Sequence, residues 1–285
     1  MKKFLITMLG LLVILSCGQK PKSSSYDDDE EDEEEVREEL KLKTYKFSET
    51  DGMAHVDISV EYPVKGETKL VDAIRTHIAN HVELESDEVE LSDGQGVIDY
   101  YGKNLMNEMR SLASDYEGDD YVTEVYHNWT FTKLCETDEF VTFMGETELY
   151  EGGIHGVGYQ AGITFFQKDG KQFTSDMLRN TDGSDFQKLL REGLRQYFEV
   201  ETDEQLSEEL ITVEDVNHIP MPSADPYITK EGIQFIYQPY EISYYAAGLP
   251  TVTIPLGKMQ PFLTKKAKEL LEGDEDEEDD DEDDE

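Results

Sequence analysis

Cysteine is nearly absent. Cys17 and Cys135 are the only two in 285 residues, so a scaffold stapled by several disulfides is excluded and stability has to come from a packed core. Basic residues are also scarce: 25 Lys and Arg stand against 66 Asp and Glu, and the formal net charge is -41. A protein that grips a phosphate backbone needs Lys and Arg to displace counterions. Only the short stretch Lys265 to Lys268 concentrates them, so nucleic acid is excluded as a partner. No apolar run reaches the ~20 residues of a bilayer-spanning helix. A Gly-rich phosphate loop, a Gly-x-Ser-x-Gly elbow and a His-Glu-x-x-His pair are all missing. The common motif-marked chemistries have no footing here, and neither an enzymatic activity nor a cofactor is expected.

The chain does have a marked beginning. Lys2 and Lys3 precede an apolar run of twelve residues, Phe4 to Leu15, of the length of a signal-peptide core. It ends in Ser16-Cys17-Gly18, which resembles a bacterial lipobox whose cysteine receives diacylglycerol. Residues 1–17 are read as a lipoprotein signal, and Cys17 as the lipidation site. The mature chain would be held at a membrane by acyl chains alone. Gly18 is not an inner-membrane retention residue, so the bacterial outer membrane is the expected location, with the periplasmic or surface face left open. A Cys17→Ala variant is expected to leave the membrane fraction on cell fractionation; retention there would refute lipidation.

The negative charge is uneven. Between Tyr26 and Leu40 there are eleven acids and one base, and thirteen of the last fourteen residues are acidic. Residues 18–43 therefore read as a self-repelling tether and residues 272–285 as a solvated acidic tail. The tail lacks the glycine turn and spaced ligands of a Ca²⁺ loop. Residues 41–271 still carry -22.

Hydrophobic periodicity there predicts an α+β fold with mostly antiparallel pairing, in a length that suffices for one large or two small cores. Val56, Ile58, Val60 and Tyr62 alternate as in a half-buried strand ended by Pro63. Leu70, Ile74, Ile78 and Val82 recur every four residues, as on one face of a helix, and a second helix follows from about Val97 to Ala113. Strands are predicted over 122–134, 140–150 and 159–168, with a tight hairpin turn at Lys168–Lys171. Ser184 is a candidate cap for a helix through Leu190 and Leu194, and a short helix covers about 203–210. Strands over 233–238 and 251–255 and a last helix over about 258–271 complete the pattern, with no βαβ rhythm.

Several stretches together resemble the RsiV-like extracytoplasmic domain family, which includes a lysozyme-sensing receptor and many bacterial lipoproteins. They are Val60-Glu61-Tyr62-Pro63-Val64, Tyr150-Glu151-Gly152-Gly153-Ile154-His155-Gly156, Asp169 to Leu178, Gly232-Ile233-Gln234-Phe235, and Tyr240 to Gly248 leading into Val252-Thr253-Ile254-Pro255. The likeness spans about residues 45–270 in order. It implies two small α+β lobes in tandem, residues 44–157 and 158–271, each a mostly antiparallel sheet packed with helices, and a receptor for lysozyme, a cationic muramidase. A catalytic domain with Asp and His metal motifs, present in the family's deacetylase members, is not found here.

A few single residues have side chains suited to chemistry. Cys135 sits in an acidic strand end and reads as a half-buried structural thiol. His77 and His81 have a four-residue spacing that suits two zinc ligands, but no third follows and both fall on or beside the apolar stripe, so packing is expected and no metal. His155, in a glycine turn, is more consistent with a turn hydrogen bond than with a general base. Tyr240, Tyr244 and Tyr245, with His155, are the candidate partner contacts, since tyrosine is favoured at interfaces. The expected function is a lipid-anchored envelope module that senses or sequesters a cationic protein such as lysozyme. Binding of cell-wall glycan (peptidoglycan) is the alternative, and an envelope enzyme of unrecognised type a lesser one.

Overall fold

The computed structural model describes residues 38–84, 89–118 and 121–272. The signal segment with Cys17, most of the acidic tether and all of the tail beyond Glu272 lie outside the described residues. The fold is α+β with two sheets. In the first, β1 (Lys41–Asp51), β2 (Ala54–Lys65), β3 (Val125–Glu136), β4 (Phe140–Tyr150) and β5 (Val157–Phe166) stand in that order. In the second, β6 (Tyr227–Thr229), β7 (Gly232–Ile236) and β8 (Thr251–Ile254) do the same. Among the described residues no helix is long and apolar enough to cross a membrane.

The alternation read in β2 holds: Val56, Ile58, Val60 and Tyr62 are buried, while Asp57 between them is exposed. That buried face is covered by α1 (Thr68–His81), through Leu70, Ile74 and Ile78, and by α2 (Gly94–Asp115), through Val97, Ile98, Met106 and Met109. The Asp93 carboxylate accepts from the Gly96 N–H at 3.0 Å and caps α2. Each fully buried aliphatic or aromatic side chain stabilises the fold by about 1.5–3 kcal/mol. Phe131 of β3, Phe143 of β4 and Phe165 of β5 extend the same core. The second core lies between α3 (Ser184–Phe198), through Phe186, Leu190 and Leu194, and the β7–β8 pair, through Ile233, Phe235, Val252 and Ile254. Beside it, α4 (Asp203–Glu209) is closed by a reciprocal capping box between Thr202 and Gln205.

Several expectations need correction. The proposed tether ran to Lys43, but Lys41–Lys43 are already in β1, an edge strand whose Tyr45 and Phe47 are half-buried on the core. Pro63 does not end β2. The ladder with β3 has stopped at Val60 and the β1 ladder is irregular between Lys41 and Leu42, so the missing N–H is tolerated at this end. The pairing is not free of crossovers: β2 and β3 are parallel, and α1 and α2 form the connection that parallel strands require. Gly183, extended at φ -72° and ψ 147°, takes the cap position that Ser184 was expected to hold, and Ser184 opens the helix. The last helix is broken in two, α5 (Leu256–Met259) and α6 (Lys265–Glu272), by a 3₁₀ turn containing Pro261. The short strand β6 was not expected at all.

The two cores share β4 and β5. Val141, Phe143 and Phe165 face the first core, while Phe140 and Phe166 belong to the second. The expected boundary after residue 157 falls at the start of β5, which pairs with β4 along its length. On the second-core face β6 is joined to the first sheet by a closed, fully buried ring of hydrogen bonds. The Ile228 N–H donates to Thr164 Oγ1 (2.8 Å), and the Thr142 hydroxyl donates to the Ile228 carbonyl (2.6 Å). With its only proton so used, Thr142 Oγ1 accepts from the Thr164 hydroxyl at 2.8 Å. One step along β5, Gly162 lets the Tyr227 ring lie flat on the strand: a Cβ there would be 2.1 Å from Tyr227 Cγ.

Candidate partner-binding site

Three of the four candidate contact residues converge. His155 stands in the turn between β4 and β5, and Tyr240 and Tyr245 in the loop between β7 and β8. The His155 and Tyr245 rings stack at 3.8 Å and 21°, and Tyr240 lies 5.8 Å from Tyr245 at 30°. His155 Nδ1 is 2.8 Å from the Gly156 carbonyl, which can only accept, so the proton is on Nδ1. In the neutral ring Nε2 then accepts from the Tyr240 hydroxyl at 3.2 Å. The Tyr245 hydroxyl donates to the same Gly156 carbonyl at 2.7 Å and so ties the two loops together. Tyr240 takes φ +66°, a left-handed conformation costly for a non-glycine residue. It is also 54 % exposed, so the conformation holds an aromatic ring at the surface. Tyr244 is elsewhere: its hydroxyl donates to the Glu209 carboxylate at the end of α4.

Beneath this aromatic lip lies a cleft of about 580 Å³ between the first sheet and the β7–β8 loop. Its sheet side is built from two cross-strand rows, Asn128–Glu148–Gly158 and Thr130–Glu146–Gln160. Glu146 and Glu148 share a face because they are two apart on one strand. Pro239, Tyr245 and Leu249 line the other side. Glu146 accepts from the Gln160 amide at 2.6 Å and from the Thr130 hydroxyl at 3.4 Å, which fixes its carboxylate in the wall. Among the described residues no Lys or Arg lines the cleft. The Gln238 side chain closes the β5 edge like a strand residue: Gln160 N–H donates to its Oε1 (3.2 Å) and its Nε2 donates to the Gln160 carbonyl (2.8 Å). Glu146, Glu148 and Gln160 were not singled out from the sequence. In a chain with 66 acids a Glu-x-Glu spacing carries no signal; only the registry with β3 and β5 gathers these groups.

His77 and His81 are placed in a stack of rings. His81 lies on Trp129 at 4.2 Å, with Tyr101 edge-on, and His77 lies on Phe131 at 5.8 Å. Burial against these rings lowers His77 and His127, and it takes His81, which keeps part of its surface in solvent, down to about 4 with help from the other two imidazoles. Among the described residues no group of three His, Cys, Asp or Glu is placed to hold a metal ion. Cys135 is half-buried, its thiol 3.8 Å from the Ile228 carbonyl and raised by burial.

The architecture has known counterparts. Residues 175–257, from the loop before α3 into α5, match the family described as "Protein of unknown function (DUF3298)". A crystal structure of a member of the DUF3298 family from Bacteroides fragilis superposes with a TM-score of 0.63 at 20% identity, covering 83% of this chain and 99% of that one. A DUF3298 family protein from Pseudomonas aeruginosa gives 0.55 at 12% identity, with 81% and 96% covered. At these identities the likeness establishes the fold. No curated protein matches the chain.

Proposed function

We propose that this protein is a lipid-anchored module of the bacterial envelope that senses or sequesters a cationic protein such as lysozyme. The observation that carries the reading is the cleft: two carboxylates, Glu146 and Glu148, and among the described residues no Lys or Arg in its wall, lined by Tyr245 of the His155–Tyr240–Tyr245 stack. The resemblance to the RsiV-like family supports it. A core charge of -22 adds long-range attraction for a basic partner, which raises the association rate and fades as salt shortens the Debye length to ~8 Å. Tyrosine rings at the lip supply contact area at low entropic cost, and lysine or arginine of the partner would meet the carboxylates below.

Calorimetry of the purified protein with lysozyme at low and moderate salt tests the reading. Saturable binding that weakens with salt is expected. The Glu146→Lys/Glu148→Lys variant should weaken it at least tenfold, and Glu269→Lys/Glu272→Lys, with the same change of net charge on α6, by much less. Equal losses would reduce the effect to net charge, and no saturable heat at low salt would exclude lysozyme. A second reading draws on the same wall: amides of Asn128 and Gln160 beside the Tyr245 ring are groups that also suit sugar hydroxyls and ring faces. Retention on purified peptidoglycan that is nearly independent of salt would favour that reading instead.

A further inference from the structure

The other face of β5 borders a second hollow, of about 370 Å³, which meets the acidic cleft only at Thr147, Tyr159 and Gln160. Its floor is the cross-strand row Phe131–Gly145–Ala161 and the neighbouring Trp129, and its wall is the His77–His81 face of α1. In a chain with 66 acidic and 25 basic residues, no Asp, Glu, Lys or Arg among the described residues lines it. The volume is at the small end of the range for ligand sites, roughly 300–1,000 Å³.

Gly145 shows that the space is not a by-product of packing. At Gly162 a side chain is excluded by the Tyr227 ring. At Gly145 a Cβ would meet nothing closer than 3.7 Å, and the backbone is outside the left-handed region. Neither crowding nor conformation requires glycine there. Its effect, with Ala161 beside it, is to leave the sheet bare between aromatic walls, as strand glycines do where something approaches closely.

Thr147, Gln160, Ser223 and Gln238 also line the hollow, and His77 adds a donor whose tautomer is fixed. The Gln172 amide, which donates, is 3.2 Å from His77 Nδ1, so Nδ1 accepts and the neutral ring carries its proton on Nε2. That N–H is the donor His77 has left, on a side chain that lines the hollow.

We infer that the hollow binds a small uncharged aromatic molecule bearing one acceptor oxygen, of the benzyl alcohol class, with its ring over Gly145 and Ala161 and its oxygen on the His77 Nε2–H. Charged analogues are disfavoured because no countercharge lines the site. Trp129 is the only tryptophan, so its indole N–H resonance reports on this hollow alone. Titration of the purified full-length protein with benzyl alcohol should give a saturable shift of that signal; benzoate and benzylamine should give none. Gly145→Leu, and independently Ala161→Leu should the first fail to fold by circular dichroism, should weaken binding at least tenfold. His77→Phe should weaken benzyl alcohol about fivefold, the worth of one net hydrogen bond, and leave toluene unchanged. No saturable shift, benzoate binding as well as benzyl alcohol, or unaltered binding by a folded filled variant would each overturn the assignment.

Discussion

Replacing Gly162 with alanine is expected to destabilise the protein by about 3 kcal/mol, because the new methyl would drive the Tyr227 ring off β5. Tyr227 is 2 % exposed and adjoins Ile228, whose peptide group is held by Thr142 and Thr164. Shifting β6 strands those buried hydroxyls, at a cost of about 1–3 kcal/mol for each group left unsatisfied. In a domain of this size about 3 kcal/mol lowers Tm by roughly 6–12 °C. A double-mutant cycle in urea with Tyr227→Ala separates the steric account from general fragility. Tyr227→Ala is destabilising in itself, since a buried ring is lost, but Gly162→Ala added to it should cost little more. An equal cost in both backgrounds would mean that Tyr227 is not what Gly162 accommodates.

Acid is expected to weaken the fold through the imidazoles packed on β3. His81 is lowered to about 4 by burial, against about 6.5 in the unfolded chain, so the unfolded state takes up the proton first. The stabilisation from keeping the ring neutral is complete above about pH 6.5 and is lost as the pH falls toward 4. The span corresponds to about 3 kcal/mol, and the part of the ring that meets solvent reduces it to about 1–2 kcal/mol. His77 and His127 act in the same direction. Glu83 and Glu108 act on the Tyr101 hydroxyl beside the stack, whereas the causes at His81 are burial and the His77 and His127 imidazoles. His81→Phe keeps the stack without the titration. Between pH 7.5 and 4.5 the variant should lose about 1–2 kcal/mol less than the wild type in urea unfolding. Relief of the chain's acidic self-repulsion is common to both proteins and cancels in the difference. Identical pH slopes would refute the role of His81.

How far the sequence could be read depended on how local the cause was. The buried faces of β2 and α1 were legible because Val56, Ile58 and Val60, and Leu70, Ile74 and Ile78, repeat at the strand and helix periods. β6 was not, because three residues are too few to show a period and its partners Thr142 and Thr164 lie more than sixty positions away. Tyr240, Tyr245 and His155 were picked singly for their chemistry; their contact across 85 residues was not visible. Glu146 and Glu148 were lost among the other acids.

The sequence by itself determined the fold class, the excess of acid and the scarcity of basic and thiol groups, since composition and periodicity are properties of the chain taken a few residues at a time. The expectation that nucleic acid is not a partner rests on that charge alone. Only the tertiary structure decided that β4 and β5 serve two cores and that, among the described residues, one face of them meets a cleft with acids and no bases and the other a hollow lined by no charged side chain. A strand sends successive side chains to opposite faces, but which residues of distant segments come to oppose them is set by register and crossover.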